Sequence, residues 1–350
     1  MSNSTQRPLL SFVLCSRNDE YAGNSLWRLN TALNYLAEGV SELGAEGDFE
    51  VIVSDWGSEI PLREALHLSA AAQAITSFLE VPRELVDELQ GESPFAEVLA
   101  NNAAIRRARG QFIGRIDQDT LVGKQFLQRF REHIDDDDRR EGLSKCFLFV
   151  RRRHIPFAFA RHCHSLAQVR RFIRLFGSVL PKEGRRQRPW FDAPVGIAML
   201  HRDLWEECRG YDESLLYWGF METDLGLRVR LKSFTVRLEK EVGCTFYHLA
   251  HSQSRFAVTK RRKNPRRPPE VFAPSGEDWG LSDRDLPLVR GTIGEGASPF
   301  DELPEKRGAG LLMRYSPSVL NEQFWESLLA VLRNVRNLSD GERLESESPR

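Results

Sequence analysis

The sequence predicts an α/β protein built on a mostly parallel central sheet with helices on both faces. Three observations carry this. Short apolar runs without alternation, such as residues 9–15 (LLSFVLC), read as strands buried on both sides. Segments with helical spacing fall between them, and strand alternating with helix implies right-handed crossovers and a parallel sheet. Polar residues capable of chemistry stand at the carboxyl ends of those strands, where open α/β sheets bind ligands.

The elements follow in chain order. After the first strand and a polar turn, Leu26, Leu29, Leu33 and Leu36 recur at helical spacing. Residues 50–54 (EVIVS) form a second strand, closed by Asp55, Trp56, Gly57 and Ser58, and residues 77–81 a third. Residues 96–109 read as a helix with Gly110 as its terminator. The run 111–116 is a buried strand that opens into Asp117-Gln118-Asp119. Two carboxylates one residue apart at a strand end suit a divalent cation and, through it, a diphosphate. The Asp-x-Asp spacing recurs within 135–138 and at Asp283 and Asp285, but those copies lie in polar surroundings and read as solvated surface.

From 151 to 188 eleven Arg or Lys stand against one acid, Glu183. There Val169, Phe172, Ile173 and Phe176 share one helical face, with Arg170, Arg171 and Arg174 between them. This is a solvated helix with a buried stripe, or a surface for an anionic membrane or acceptor. Residues 191–200 return to strand character, and 217–224 open a helix running to about 231, on which Asp224 and Arg228 pair at i, i+4. Residues 244–249 form a short strand carrying His248 and leading to His251. Beyond Lys260, to about 305, Pro, Gly and charge predict an extended tail or loose lobe. Residues 324–338 predict one more helix, and the last dozen residues read as disordered.

Composition bounds the partners. A length of 350 residues with 41% hydrophobic content supports a sizeable core. A net charge of −1 gives no global field for nucleic acid. No segment approaches the roughly 20 apolar residues of a membrane span. The five cysteines are scattered and read as reduced thiols of a cytosolic protein.

The order of motifs resembles that of the family 2 glycosyltransferases and their relatives, which share the GT-A fold. It looks closest to the branch containing the β-1,4-galactosyltransferases and the galactosyltransferase-like domains of polysaccharide-building enzymes. The motifs that carry it over residues 9–255 are Cys15-Ser16-Arg17-Asn18, Asp55-Trp56-Gly57-Ser58, Asn101-Asn102-Ala103 with Ala108-Arg109-Gly110, Asp117 with Asp119, Gly210-Tyr211-Asp212-Glu213 followed by Trp218-Gly219 and Glu222-Thr223-Asp224, and Tyr247-His248-Leu249-Ala250-His251.

The resemblance implies a metal-dependent inverting enzyme that moves a sugar from a UDP-linked donor to a glycan or glycolipid. Residues 1–120 would form the nucleotide-sugar half, 121–255 the acceptor half with a basic insertion at 151–190, and 256–350 a C-terminal extension. Ser16, Arg17, Asp55, Asp117 and Gly196 fall on the donor side; Trp218, Asp224 and Trp190 fall on the acceptor side. Asp119 with His251 or His248 would hold Mn²⁺ or Mg²⁺ as a Lewis acid against the leaving diphosphate, with Asp117 nearer the ribose or an outer water. Glu222 would be the base. The family usually shows two adjacent acids there, and Met221 occupies the first position, so the assignment holds if the second acid is the base. The expected location is cytoplasmic, with peripheral contact to an anionic membrane through 151–188 and no nucleic-acid partner. A retaining enzyme of the same fold and a non-catalytic polyanion-binding or membrane-binding protein are the rival readings. A nucleotidyltransferase would commonly carry a glycine-rich loop after the first strand, where 16–24 holds only Gly23.

Overall fold

The computed structural model describes residues 7–19, 21, 23–160, 163, 165–182, 187–188, 191–192, 197–230, 234–237, 242–251, 262–264 and 275–290. Strand β1 (Leu10–Ser16) is the hub. It pairs in parallel with β2 (Phe49–Trp56) on one side and with β4 (Phe112–Ile116) on the other, so that Leu10 faces both Phe49 and Phe112. Strand β3 (Thr76–Val81) continues the parallel run beyond β2. On the far side, β10 (Ile197–His201) runs antiparallel between β4 and β6 (Cys146–Val150), and β11 (Phe234–Arg237) joins β6 in parallel. The last strand, β13 (Leu288–Arg290), lies antiparallel on β3, and the full order is β11-β6-β10-β4-β1-β2-β3-β13. This is the mostly parallel, helix-covered α/β sheet that the sequence predicts.

Two layers cover it. On one face, Leu10, Phe12 and Leu14 pack with α1 (Ser25–Ser41), α3 (Ala70–Ile75) and α6 (Lys124–Ile134) through Leu29, Leu33, Leu36, Ala72, Phe126 and Phe130. Short α2 (Leu62–Ala65) and α7 (Asp137–Ser144) extend this layer. On the other face, Val13 and Ile52 pack with α4 (Arg83–Gln90), α5 (Glu97–Arg107), α10 (Arg202–Cys208) and α11 (Met221–Arg230) through Val86, Ala100, Ala103, Trp205 and Leu225. Side chains buried on both sides of one strand are why its sequence shows no alternation.

Several expectations take a different physical form. The helix before β4 stops at Arg107, and Gly110 is needed instead for close approach, since a Cβ there would sit 2.5 Å from the Ser11 nitrogen. That contact is tied down by Glu50, which accepts from Ser11 Oγ at 2.6 Å and from Arg109 Nη2 at 2.7 Å. Of the run 191–200, the structure describes β9 (Phe191–Asp192), paired with β8 (Gln187–Arg188), and β10. Part of the segment read as a tail is docked on the core. Trp279 is 2% exposed in the second layer, and Arg107 donates to the carbonyls of Gly280, Leu281, Arg284 and Leu286. The helix expected at 324–338 lies outside the described residues. Among the described residues no helix is long and apolar enough to cross a membrane.

A small second sheet positions the site. Strand β12 (Tyr247–Leu249) lies between β5 (Thr120–Leu121) and β7 (Arg153–Ile155), with His248 opposite Thr120 on one side and His154 on the other. Behind it, α8 (Phe157–Ala160) and α9 (Leu166–Phe176) add a satellite core of Trp27, Ile155, Phe159, Phe172 and Leu249.

Candidate active site

The chain leaves β4 at Ile116 and crosses the rim of the sheet through Asp117, Gln118 and Asp119 into β5. The two carboxylates face different partners. Asp117 is gripped by Arg115 Nη1 at 2.7 Å and Arg152 Nη1 at 2.8 Å. Asp119 is 4% exposed and lies 3.3 Å from His248 Nε2 and 3.5 Å from His251 Nε2. Arg152 reaches Asp119 at 3.5 Å and donates to Thr120 Oγ1 at 2.6 Å, which fixes the loop from below. Both histidines therefore meet the same carboxylate. Ligand atoms of Asp119, His248 and His251 all lie within 4.8 Å of one another.

This donor set fits a divalent cation. A buried carboxylate and two imidazoles, converging from separate elements, supply one oxygen and two nitrogens, which suits Mn²⁺ or a later transition metal better than Mg²⁺ with its preference for oxygen. Burial works against ionisation of Asp119, but His248 and Arg152 outweigh it and hold the carboxyl below its usual range. Burial lowers His251 to about 4, opposed by Asp119 and reinforced by Arg28. At neutral pH His251 thus keeps a lone pair, and Arg152 supplies the formal charge beside Asp119. His248 is oriented from behind, since its Nδ1 lies 2.9 Å from His154 Nδ1 and one of the two must donate. With a cation bound, an Nδ1–H on His248 donating to His154 would leave its Nε2 to serve as a ligand.

The opposite wall comes from α11. Gly219 (φ 84°) and Phe220 (φ 69°) both take left-handed backbone just before the helix, which turns the chain sharply enough to place Glu222 in its first turn against the rim. Met221 is core, packed with Leu225 and Tyr211, so it cannot be the acid of the site. Glu222 keeps 26% exposure and lies 4.0 Å from Arg115 Nη1. Arg115 also pairs with Glu97, so one buried guanidinium joins Asp117, Glu97 and Glu222. Burial pushes Glu222 up to about 7; Arg115 opposes the rise, and Glu97 and Asp117 add to it. The Tyr211 hydroxyl is buried without a hydrogen-bond partner among the described residues, and burial raises its pKa. Asn102 holds this wall to α5, accepting from Tyr211 N at 2.8 Å and donating to Tyr211 O at 2.9 Å.

The remaining predicted residues have assigned places. Ser16 donates to Gln118 Oε1, tying the end of β1 to the loop. Arg17 turns to Asp19 at 2.9 Å and to Pro94 O at 3.0 Å. Asp55 is buried and accepts from Leu62 N at 2.7 Å and from Ser58 Oγ, which organises its own loop. Asp224 is buried against Arg228 at 2.8 Å, and Arg228 continues to the carbonyls of Cys208 and Gly210. Trp218 is half-buried, and its backbone bonds with those of Arg262 and Asn264. Gly196 and Trp190 lie outside the described residues.

Arg115, Arg152 and His154 were missed by the sequence reasoning. Arg115 carried a usable signal, because a charge inside a buried apolar strand demands a partner. Arg152 and His154 carried none, since nothing separates them from the other cations of that stretch until β7 pairs with β12.

No protein-family model matches the chain. It is 25% identical over 311 residues to the validoxylamine A glucosyltransferase of Streptomyces hygroscopicus subsp. limoneus, covering 80% of this chain and 60% of that protein. The chain thus spans less than two thirds of the length of this curated relative. Among solved structures, S. aureus TarS aligns with a TM-score of 0.41 at 17% identity, over 69% of this chain and 36% of TarS. TarS 1–349 in complex with UDP-GlcNAc aligns with a TM-score of 0.40 at 14% identity, over 71% of this chain and 60% of that one.

Proposed function

We propose that the chain is a metal-dependent inverting glycosyltransferase that takes a UDP-linked sugar donor and a glycan or glycolipid acceptor. One observation carries the reading: Asp119, His248 and His251 converge at the sheet rim, and a chain of ion pairs through Arg152, Asp117 and Arg115 links them to Glu222. The curated relative's name, a glucosyltransferase, supports sugar transfer.

In this reading the acceptor hydroxyl enters beside Glu222. The carboxylate takes its proton as the hydroxyl oxygen bonds to the anomeric carbon, and the bond from that carbon to the diphosphate oxygen breaks on the opposite face. A base near pH 7 is matched to this task. Asp117, fixed by two arginines, would contact the ribose or an outer water of the cation. Asp119, His248 and His251 would hold a divalent cation such as Mn²⁺, which when bound would offset charge on the departing nucleoside diphosphate. Turnover of a UDP-, GDP- and dTDP-sugar panel with Mn²⁺ present and absent tests the assignment, and NMR of the product anomer separates inversion from retention. No turnover and no binding across the panel would remove it.

A peripheral membrane contact has its own support. On α9 and the turn after it, Leu175 and Val179 are 56% and 68% exposed, beside exposed Arg171 and Arg174. Apolar side chains ringed by cations suit an anionic bilayer. Other cations of the stretch are engaged by the protein, as with buried Arg152 at the site and, at the surface, Arg170 against Glu38 and Glu42. Co-sedimentation with phosphatidylserine vesicles, weakened in Leu175→Glu, is the expected result; equal pelleting of both forms would contradict it.

A further inference from the structure

Helix α1 begins against the site without the usual devices. Its N-cap, Asn24, takes left-handed backbone and makes no side-chain cap, and its first turn holds no acidic residue. Ser25, the first helical residue, points its hydroxyl at Gln118 Oε1, 3.4 Å away, so the N-terminus of the helix abuts the loop between Asp117 and Asp119. One turn in stands Arg28, 1% exposed. Its Nη2 donates back to Tyr21 O at 2.9 Å, which folds the guanidinium towards the start of the helix. The Tyr21 ring lies 6.3 Å from the ring of His251, which places this group beside the Asp119–His248–His251 cluster.

Arg28 Nε and Nη1 are buried and have no hydrogen-bond partner among the described residues. No ion pair joins Arg28 to a carboxylate among them either. A guanidinium does not readily lose its proton, so the two buried donors that find no acceptor among the described residues suit an added acceptor. The helix terminus, without a side-chain cap or an acid in its first turn, adds partial positive charge on the same side. Burial weakens the charge on Arg28, and Asp119 is the neighbour that supports it. The arrangement awaits an anion with several oxygens.

We infer that Arg28, with the first turn of α1, binds the diphosphate of the nucleotide donor and holds its charge as the sugar leaves. The inference rests on the nucleotide-sugar reading and adds to it a residue that the order of motifs does not mark. Planar bidentate donors match phosphate oxygens, and helix N-termini bind them through backbone N–H groups. The guanidinium and the metal cluster would then meet the diphosphate from two sides. Arg17, whose guanidinium is taken by Asp19 and Pro94, is not placed for this role.

Calorimetric titration of the full chain with UDP and with uridine, in Mn²⁺ buffer, tests it. Arg28→Met keeps the length of the side chain and removes its donors. The expected result is a loss of about 10- to 100-fold in UDP affinity, with uridine affinity within about twofold and Arg28→Lys falling between. UDP affinity unchanged in Arg28→Met, or equal losses for UDP and uridine, overturns the inference and leaves the enzyme reading standing. Absence of UDP binding in the unaltered protein overturns the enzyme reading itself. Should Arg28→Met fail to fold, the arginine Nε–H resonances of the unaltered, ¹⁵N-labelled protein decide. A shift of the Arg28 signal on adding pyrophosphate supports the site, and an unmoved signal refutes it.

Discussion

The clearest handle on the chemistry is the proton on Glu222. Its ordinary value is 4.5, and its surroundings raise it to about 7. Burial leads, and the two neighbouring acids, Glu97 and Asp117, make a further negative charge costly. Arg115 works in the other direction from 4.0 Å. At that separation and an effective dielectric of about 20, a unit pair is worth about 4 kcal/mol, so the rise stands against a substantial opposing term. If Glu222 must be ionised to take the acceptor proton, about 9% of the enzyme is competent at pH 6 and about 91% at pH 8. The pH profile of kcat/KM should therefore climb about tenfold between those values and level above pH 8. Glu222→Gln keeps the shape and removes the basic oxygen. It should reduce kcat by about 10²–10⁴ while donor affinity stays within about twofold, and the residual rate should lose the limb centred near pH 7. Initial rates with a UDP-sugar at saturating Mn²⁺ across pH 5.5–9, paired with UDP titration of both proteins, read all three quantities. A flat profile between pH 6 and 8, or loss of UDP binding in Glu222→Gln, refutes the assignment of the base.

Other consequences are structural. His251 is buried neutral, with its value lowered from 6.5 to about 4. The unfolded chain takes that proton below about 6.5 and the folded one does not, so stability should fall on acidification from about pH 6.5 to about 4, by up to about 1.4 kcal/mol per pH unit. Urea unfolding at pH 7 and pH 5 should show a smaller acid loss in His251→Phe than in the unaltered protein; equal losses would contradict the burial argument. Trp279 sits in the second core layer under Arg106, whose guanidinium lies 4.9 Å from its ring. Trp279→Ala should cost about 3–5 kcal/mol in the same assay, and a cost under about 1 kcal/mol would mean that residues 275–290 do not belong to the core.

The sheet was legible because its strands are buried on both faces. Residues 9–15, 50–54, 77–81 and 111–116 announce themselves by largely apolar character without strict alternation, and β1 to β4 lie along those runs. The rim followed from the same signal, since Asp117 and Asp119 come directly after Ile116. What the sequence could not carry was the second sheet. Strands of two or three residues have no periodicity, and the contacts of His248 with Thr120 and His154 join positions 128 and 94 residues apart. His248 and His251 are three residues apart in the chain, and β12 with the residues that follow it brings both rings to one carboxylate. Glu222 was legible as a motif, but the wiring through Arg115 was not, because it depends on β4 and α11 meeting across the rim. Asp55 and Asp224 show the opposite case, where acids in suggestive motifs are held by Leu62 N and by Arg228.

The central claim is that one cation sits between Asp119, His248 and His251. Crystals grown with Mn²⁺ and UDP and measured at the manganese absorption edge test it directly. The account predicts one strong anomalous peak about 2.0–2.4 Å from an Asp119 oxygen and from Nε2 of both histidines, with diphosphate oxygens completing the shell, and its disappearance in Asp119→Asn. A peak elsewhere, or UDP bound with no manganese near Asp119, would contradict it.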